Sequence, residues 1–401
     1  MSEIGWLPPA NLEVCSRVTA EVLAATALAV WLYLLFARGA FWRCTERDDW
    51  TPGKLAEWPR VAVVVPARNE ADQIGASIGS LAAQDYRGPC TLILVDDASS
   101  DGTADIARRI LAGPGDEWLW VVTSRALPTG WTGKLWAIKQ GIELAMALPQ
   151  RPDYLLLTDA DIVHPPDSIS RLVGHAHSRG LVLTSLMVKL RCESFAERVS
   201  IPAFIFFFQM LYPFPWVNRP HGPVAAAAGG CMLVRAAALE RVGGIEVIRG
   251  ALIDDCALAR VLKLQGPIWL GLTTRVRSIR SYATLADIRR MVARSAYAQL
   301  RYSPLLLLGT VAAMAVAYFV PPVVALAGTG LARMLGLVTW GLMALAFAPT
   351  LRLYRRSLLW GIALPAIALQ YLVFTLDSAY QYMRGRGGTW KGRIQANVSE
   401  P

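Results

Sequence analysis

Four runs of the 401-residue chain are apolar and free of charge: Val22 to Ala37, Leu305 to Ala332, Met334 to Leu351 and Ser357 to Leu376. A helix needs about 20 such residues to span the hydrocarbon core. Each run is therefore a candidate membrane segment. Between Phe41 and Arg301 the polarity is ordinary, and the stretch is long enough to bury its own core. The pattern predicts a membrane anchor over 1–40, a globular domain over 41–303, transmembrane helices over 304–380 and a basic tail over 381–401.

Inside the globular stretch the apolar positions change period. Val61 to Val65 is a continuous β-rich run closed by Pro66, and a helix follows to about Gln84. Further strands are predicted over Thr91–Val95, Trp118–Thr123 and Tyr154–Leu157, with helices over Ala104–Leu111 and Leu135–Ala147. Alternating strands and helices predict an open α/β sheet, which binds ligands at the carboxyl ends of its strands. Three polar clusters fall there: Arg68-Asn69-Glu70, Asp96-Asp97 and Asp159-Ala160-Asp161. An acidic pair, Asp254-Asp255, comes later in the same stretch. Carboxylates converging on one crevice repel unless a cation lies among them, and hard oxygen donors suit Mg²⁺ or Mn²⁺ bridging to phosphates. Asp96, Ser99 and Asp101 have a second reading, as caps of the helix that follows.

Composition narrows the class. With 54% hydrophobic and 17% charged residues and a mean hydropathy of +0.37, the chain is neither disordered nor a small disulfide scaffold. The six cysteines, Cys15, Cys44, Cys90, Cys192, Cys231 and Cys256, form no C-x-x-C pair and read as reduced. The net charge of +10 suits an anionic leaflet or a phosphorylated substrate, and no motif resembles a nucleic-acid binder.

The chain starts with Glu3 and Glu13 and passes from the first run into Arg38 and Arg43 without a small-residue cleavage site, so that run reads as a retained anchor. Arg38 and Arg43 place the globular domain in the cytoplasm, at the inner membrane of the cell, and Arg289, Arg290, Arg294 and Arg301 agree. Three later crossings would put Arg384, Arg386, Lys391 and Arg393 outside, against the same rule. One segment is expected not to cross, and Pro321-Pro322 and Pro365 mark two that could be re-entrant. Phe204 to Phe208, with Tyr212, Phe214 and Trp216, reads either as an interfacial segment guiding a lipid or as a core helix. His175 and His177 lie two apart, on different sides of a helix, and read as solvent-facing rather than as metal ligands.

Taken in order, Val-Pro-Ala-Arg-Asn-Glu (65–70), Val-Asp-Asp-Ala-Ser-Ser-Asp-Gly-Thr (95–103), Asp159-Ala160-Asp161 and Ile253-Asp254-Asp255 resemble the family 2 glycosyltransferases with the α/β GT-A, Rossmann-like fold. Within them, Gly130-Trp131-Thr132-Gly133-Lys134, Ala227-Ala228-Gly229-Gly230-Cys231 and Gln299-Leu300-Arg301-Tyr302-Ser303 resemble the membrane glycosyltransferases of hopanoid synthesis, relatives of the ceramide glucosyltransferases. The resemblance implies that Pro66, Ala67, Arg68, Asn69, Glu70, Asp96 and Asp97 bind the nucleoside of a nucleotide sugar, expected to be a UDP-sugar. It implies that Asp159 and Asp161 hold a divalent cation and the diphosphate, that Lys134 and Arg301 meet the phosphates, and that Tyr302 is an aromatic platform. Asp255 would be the general base, with Asp254 where the family usually has Glu. Related enzymes carry Gln-x-x-Arg-Trp, but here Ala298 stands in place of the Gln.

The function this implies is inverting transfer of a sugar to a membrane lipid acceptor, with hopanoid or related lipids first. A polyprenyl phosphate or a soluble acceptor is the alternative. The non-enzymatic alternative is a membrane scaffold with a vestigial nucleotide-binding domain.

Overall fold

The computed structural model describes residues 9–51, 55–110, 119–388 and 391. Eight strands form one mixed sheet in the order β3-β2-β1-β4-β7-β6-β8-β5. They are β1 (Val61–Ala67), β2 (Cys90–Asp96), β3 (Leu119–Thr123), β4 (Tyr154–Thr158), β5 (Ile162–Val163), β6 (Leu183–Lys189), β7 (Cys231–Arg235) and β8 (Ile268–Ser278). Strands β1, β2, β3 and β4 run parallel, while β7 is antiparallel to both β4 and β6, and β8 is parallel to β6. The carboxyl ends of β1, β2, β4 and β8 and the start of β7 therefore share one edge. β1 is buried at all seven positions, which explains why it reads as a continuous rather than alternating apolar run.

Alternate residues of the sheet feed two cores. Val61, Val63 and Val65 pack with Ile74, Ile78, Leu172 and Val173 from the helices Ala71–Ala82 and Ser168–Ser178. Ala62 and Val64 face the helix Gly133–Ala147, in a core that continues to Phe206, Phe347 and Tyr371. That helix lies so close to β1 that a Cβ on Gly141 would come within 2.4 Å of Val64, so only glycine fits there.

Among the described residues, four helices are long and apolar enough to cross a membrane: Cys15–Ala37, Phe195–Val217, Pro304–Ala327 and Gly330–Leu353. Their exposed residues include Phe36, Leu305, Leu308, Leu326 and Met334, as a lipid-facing surface requires. The aromatic segment at 204–208 belongs to one of these long helices; Phe206 is wholly buried against Phe41 and Phe347, as the core-helix reading expects, while Phe204, Phe207 and Phe208 are half-buried. The sequence reading differs at the last run. The run expected over Ser357–Leu376 is split into a short turn, Leu358–Gly361, and a helix, Leu364–Met383, and is not among the four.

Pro321-Pro322 does not break its helix. Proline at 321 has no N–H to donate to the carbonyl of Ala317 four residues back, and the backbone there widens into a π turn, Ala315–Phe319. The released Ala317 carbonyl accepts the indole N–H of the buried Trp31 at 2.8 Å, which ties the first span to the third.

Candidate active site

The shared edge gathers the polar clusters. Ala67 and Asp96 are register partners, so Arg68, Asn69 and Glu70 lie beside Asp96 and Asp97. Asn69 and Ala98 both take left-handed backbone, with φ of 50° and 53°. The two loops are sewn together: the Asn69 amide donates to Ser99 Oγ at 3.0 Å, the Glu70 amide to Thr103 Oγ1 at 2.9 Å, and the Ala71 amide to Asp101 Oδ2 at 3.0 Å. Asp101 also accepts the Thr103 amide at 3.1 Å, so for this residue the capping reading is correct. Arg68 Nη1 reaches the carbonyl of Asp97 at 2.5 Å and its carboxylate at 3.5 Å. Pro66 and Ala67 end β1 and are buried. Two buried carboxylate oxygens, Glu70 Oε2 and Asp96 Oδ1, have no hydrogen-bond partner. Such orphans are costly, and ribose hydroxyls or base N–H groups are donors of the right kind.

A second cluster surrounds Lys134, the second residue of the helix Gly133–Ala147, which is capped by Thr132. Its ammonium is 2.9 Å from Asp159 Oδ1 and 3.2 Å from Asp254 Oδ2, the latter an ion pair without hydrogen-bond geometry. Asp255 sits alongside, its Oδ2 accepting the Gly229 amide at 2.9 Å and its Oδ1 the Cys256 amide at 2.7 Å. Burial alone would lower the Lys134 pKa, but Asp159 and then Asp254 outweigh it and hold the ammonium charged. Burial, and next the charge of Asp254, push Asp255 up to about 6, against the opposing pull of Lys134. Burial raises Asp159 as well, opposed by Lys134, although 35% of its side chain remains open.

Asp161 faces the other way. Its Oδ2 accepts from Ser278 Oγ at 2.6 Å and pairs with Arg280 Nε at 3.3 Å, and Arg280 Nη2 also binds Glu70 Oε1 at 2.6 Å. Arg280 thus bridges the Arg68-Asn69-Glu70 loop to the Asp159-Ala160-Asp161 turn. The sequence reading missed it because β8 went unrecognised; a basic residue just past a strand's carboxyl end was the available signal. No group of three metal-donor side chains forms among the described residues. The donor chemistry still suits a hard divalent cation, because Asp159, Asp254 and Asp255 share the crevice with one ammonium.

Arg301 and Tyr302 are not brought into this network. Both have left-handed backbone in the turn before Pro304, Arg301 is exposed, and Tyr302 stacks on Tyr382 with centroids 4.3 Å apart. The missing amide at 298 is met one residue later: Gln299 exchanges hydrogen bonds of 2.7 and 2.9 Å with Tyr212, whose hydroxyl adjoins Cys256. His175 corrects another expectation. It is buried, stacked on Trp50 at 3.8 Å, and its pKa is lowered to about 4 by burial, while His177 is exposed.

A model described as Glycosyl transferase family 2 matches residues 62–243, and one described as Glycosyl transferase family group 2 matches 154–375, more than half of the chain. Among curated relatives, an undecaprenyl-phosphate 4-deoxy-4-formamido-L-arabinose transferase of Aeromonas hydrophila is 30% identical over 146 residues, 35% of this chain and 40% of that protein. One of the same name from Edwardsiella ictaluri is 34% identical over 118 residues, 29% of this chain and 33% of that protein. The chain therefore spans less than half the length of these relatives. A solved structure, the mannosyltransferase PcManGT from Pyrobaculum calidifontis in complex with GDP-Man and Mn²⁺, superimposes with a TM-score of 0.56 at 20% identity, covering 89% of this chain and 99% of that one. At that identity the likeness is one of fold, the GT-A fold.

Proposed function

The chain belongs to the group 2 glycosyl transferases, and from that premise we propose that it is a membrane-embedded, inverting transferase moving a sugar from a nucleotide-sugar donor to the hydroxyl of a lipid. The observation that carries the reading is Asp255: a carboxylate raised to about 6, fixed by two main-chain amides beside a lysine and two further aspartates.

In this reading Glu70 and Asp96 offer their unpartnered oxygens to the nucleoside, and Asp97 and Arg68 wall the base side. Asp159, with Asp254 beside it, would hold a divalent cation, which would supply charge to the departing diphosphate, while Asp161, expected to share that cation, is engaged by Ser278 and Arg280. Lys134 adds its own positive charge at the same place. Asp255 takes the acceptor proton as the hydroxyl attacks the anomeric carbon from the face opposite the diphosphate. With Asp159 and Asp254 both paired to Lys134 and given no part as nucleophile, one displacement inverts that carbon, by analogy with the glycosidase geometries.

A lipid acceptor is supported by the apolar helices sharing a core with the sheet, and by relatives whose names carry a lipid phosphate. Those names favour the second reading, a polyprenyl phosphate acceptor. The site's charge favours an alcohol, such as a hopanoid or related isoprenoid: an ionised phosphate needs no general base, and three aspartates would repel it. Supplying membranes with a polyprenyl phosphate or an isoprenoid alcohol beside the same labelled donors separates the two. Label in an acid-labile phosphodiester would replace the first reading by the second.

A further inference from the structure

We propose that Lys391, in the carboxyl-terminal tail beyond the last long helix, is a positioning residue of the donor site. The inference rests on the reading of residues 66–70 as the nucleoside loop. Lys391 lies 322 residues from that loop and touches three consecutive members of it. Its ammonium is 2.9 Å from Glu70 Oε1 and donates to the Asn69 carbonyl at 2.9 Å, while its own carbonyl accepts from Arg68 Nε at 3.4 Å.

Each contact fixes something the site needs. Asn69 is held in left-handed backbone, a conformation that costs free energy off glycine, and the Lys391 ammonium satisfies the carbonyl that this turn leaves pointing outward. Glu70 has only 7% of its side chain open and takes two cations on one oxygen, Lys391 and Arg280, which leaves Oε2 without a partner. The two cations fix the carboxylate through Oε1 and present Oε2 as the acceptor for a donor hydroxyl. Arg68, steadied by the Lys391 carbonyl, is the residue that covers Asp97. Ion pairs then run without a break from Lys391 through Glu70 and Arg280 to Asp161, so Lys391 is linked to the Asp159-Ala160-Asp161 turn as well.

The consequence is a donor site completed only when the chain beyond the helix Leu364–Met383 returns to the sheet. The contact also bears on topology: Lys391 and the residues just after the last long helix lie on the same side of the membrane as the sheet, which removes the conflict raised by the charges of Arg384, Arg386 and Lys391.

The test compares the full-length parent with Lys391→Met and Lys391→Arg in lipid nanodiscs. Amide hydrogen exchange without nucleotide should be faster over 66–70 in Lys391→Met and unchanged in β7. Titration with UDP and with GDP, each with Mn²⁺, should then show affinity for the better nucleotide falling on the order of ten-fold in Lys391→Met and largely restored in Lys391→Arg. Turnover at saturating donor should stay within about two-fold, since Lys391 touches no reacting atom. Unchanged exchange at 66–70 would overturn the inference, and so would tighter nucleotide binding in Lys391→Met, which would make the tail an occupant the donor must displace. A parent that takes neither nucleotide would sink the reading of the loop instead, while the exchange result still decides whether Lys391 holds it.

Discussion

Asp255 Oδ2 accepts the main-chain N–H of Gly229 at 2.9 Å, binding the start of the helix Asp254–Lys263 to the glycine turn that opens β7. A Cβ at 229 would lie 3.2 Å from Lys134 Nζ and 3.5 Å from Asp255 Oδ2, so glycine leaves these two side chains room to face each other across the turn. The pair gives Asp255 one orientation, with its remaining lone pairs free to take a proton.

Asp255→Asn should therefore lose turnover by about 10²–10⁴-fold, as for a general base, with donor affinity nearly unchanged. Asp254→Asn, which leaves the Gly229 contact intact, should lose less. Steady-state kcat and equilibrium nucleotide binding on both variants check this. Equal loss of nucleotide binding in both would remove the assignment of base and partner.

The pH profile follows from the same group. A base works deprotonated, so kcat/KM should be flat above the Asp255 pKa and fall with decreasing pH below about 6. Burial raises this pKa first and the charge of Asp254 second, so Asp254→Asn should shift the acid limb to lower pH. A limb that stays in place would show that Asp254 does not act on the base.

Lys134→Met removes the one ammonium shared by Asp159 and Asp254. Breaking a buried pair from one side typically costs about 3–5 kcal/mol, because a charge is left unpaired. The variant should melt lower than the parent, and Mn²⁺ should raise its Tm more than the parent's by filling the vacated positive position. Thermal melts with Mn²⁺ and with excess chelator measure this; a Tm indifferent to Mn²⁺ in both proteins would count against a cation among these carboxylates.

The chain's sidedness is tested by single cysteines at Ser100, Ser178 and Arg386 in a cysteine-free variant. Ser100 and Ser178 are exposed on the sheet's own helices and loops, and Arg386 follows the last long helix. All three should escape an impermeant thiol reagent in intact cells and react after permeabilisation. Labelling at Arg386 alone would place the tail across the membrane and contradict its contact with Glu70.

Much of the site was legible because strands buried on both faces announce themselves and because the clusters at 68–70, 96–97 and 159–161 follow them directly. What escaped depended on long-range closure. Arg280 needs β8, an 11-residue strand whose exposed Arg275 and Arg277 interrupt its apolar pattern. Lys391 reaches the loop through the path of four long helices, which no local pattern encodes. The Pro321-Pro322 pair misled for a similar reason: proline forbids a local hydrogen bond, but the freed carbonyl finds Trp31, 286 residues away. His175 was placed on the surface by its spacing from His177, whereas Trp50 and Trp269 close over it.

Transfer of sugar to lipid by Asp255 is the central claim, and label partition tests it most directly. Membranes containing the parent, or Asp255→Asn, receive radiolabelled nucleotide sugars with Mn²⁺, and label is counted in the lipid extract and in water. The account predicts label in lipid with the parent, an inverted anomeric configuration in the product, and a loss of about 10²-fold or more with Asp255→Asn at equal expression. Label appearing only in water-soluble products, or entering lipid equally well with the variant, would contradict it.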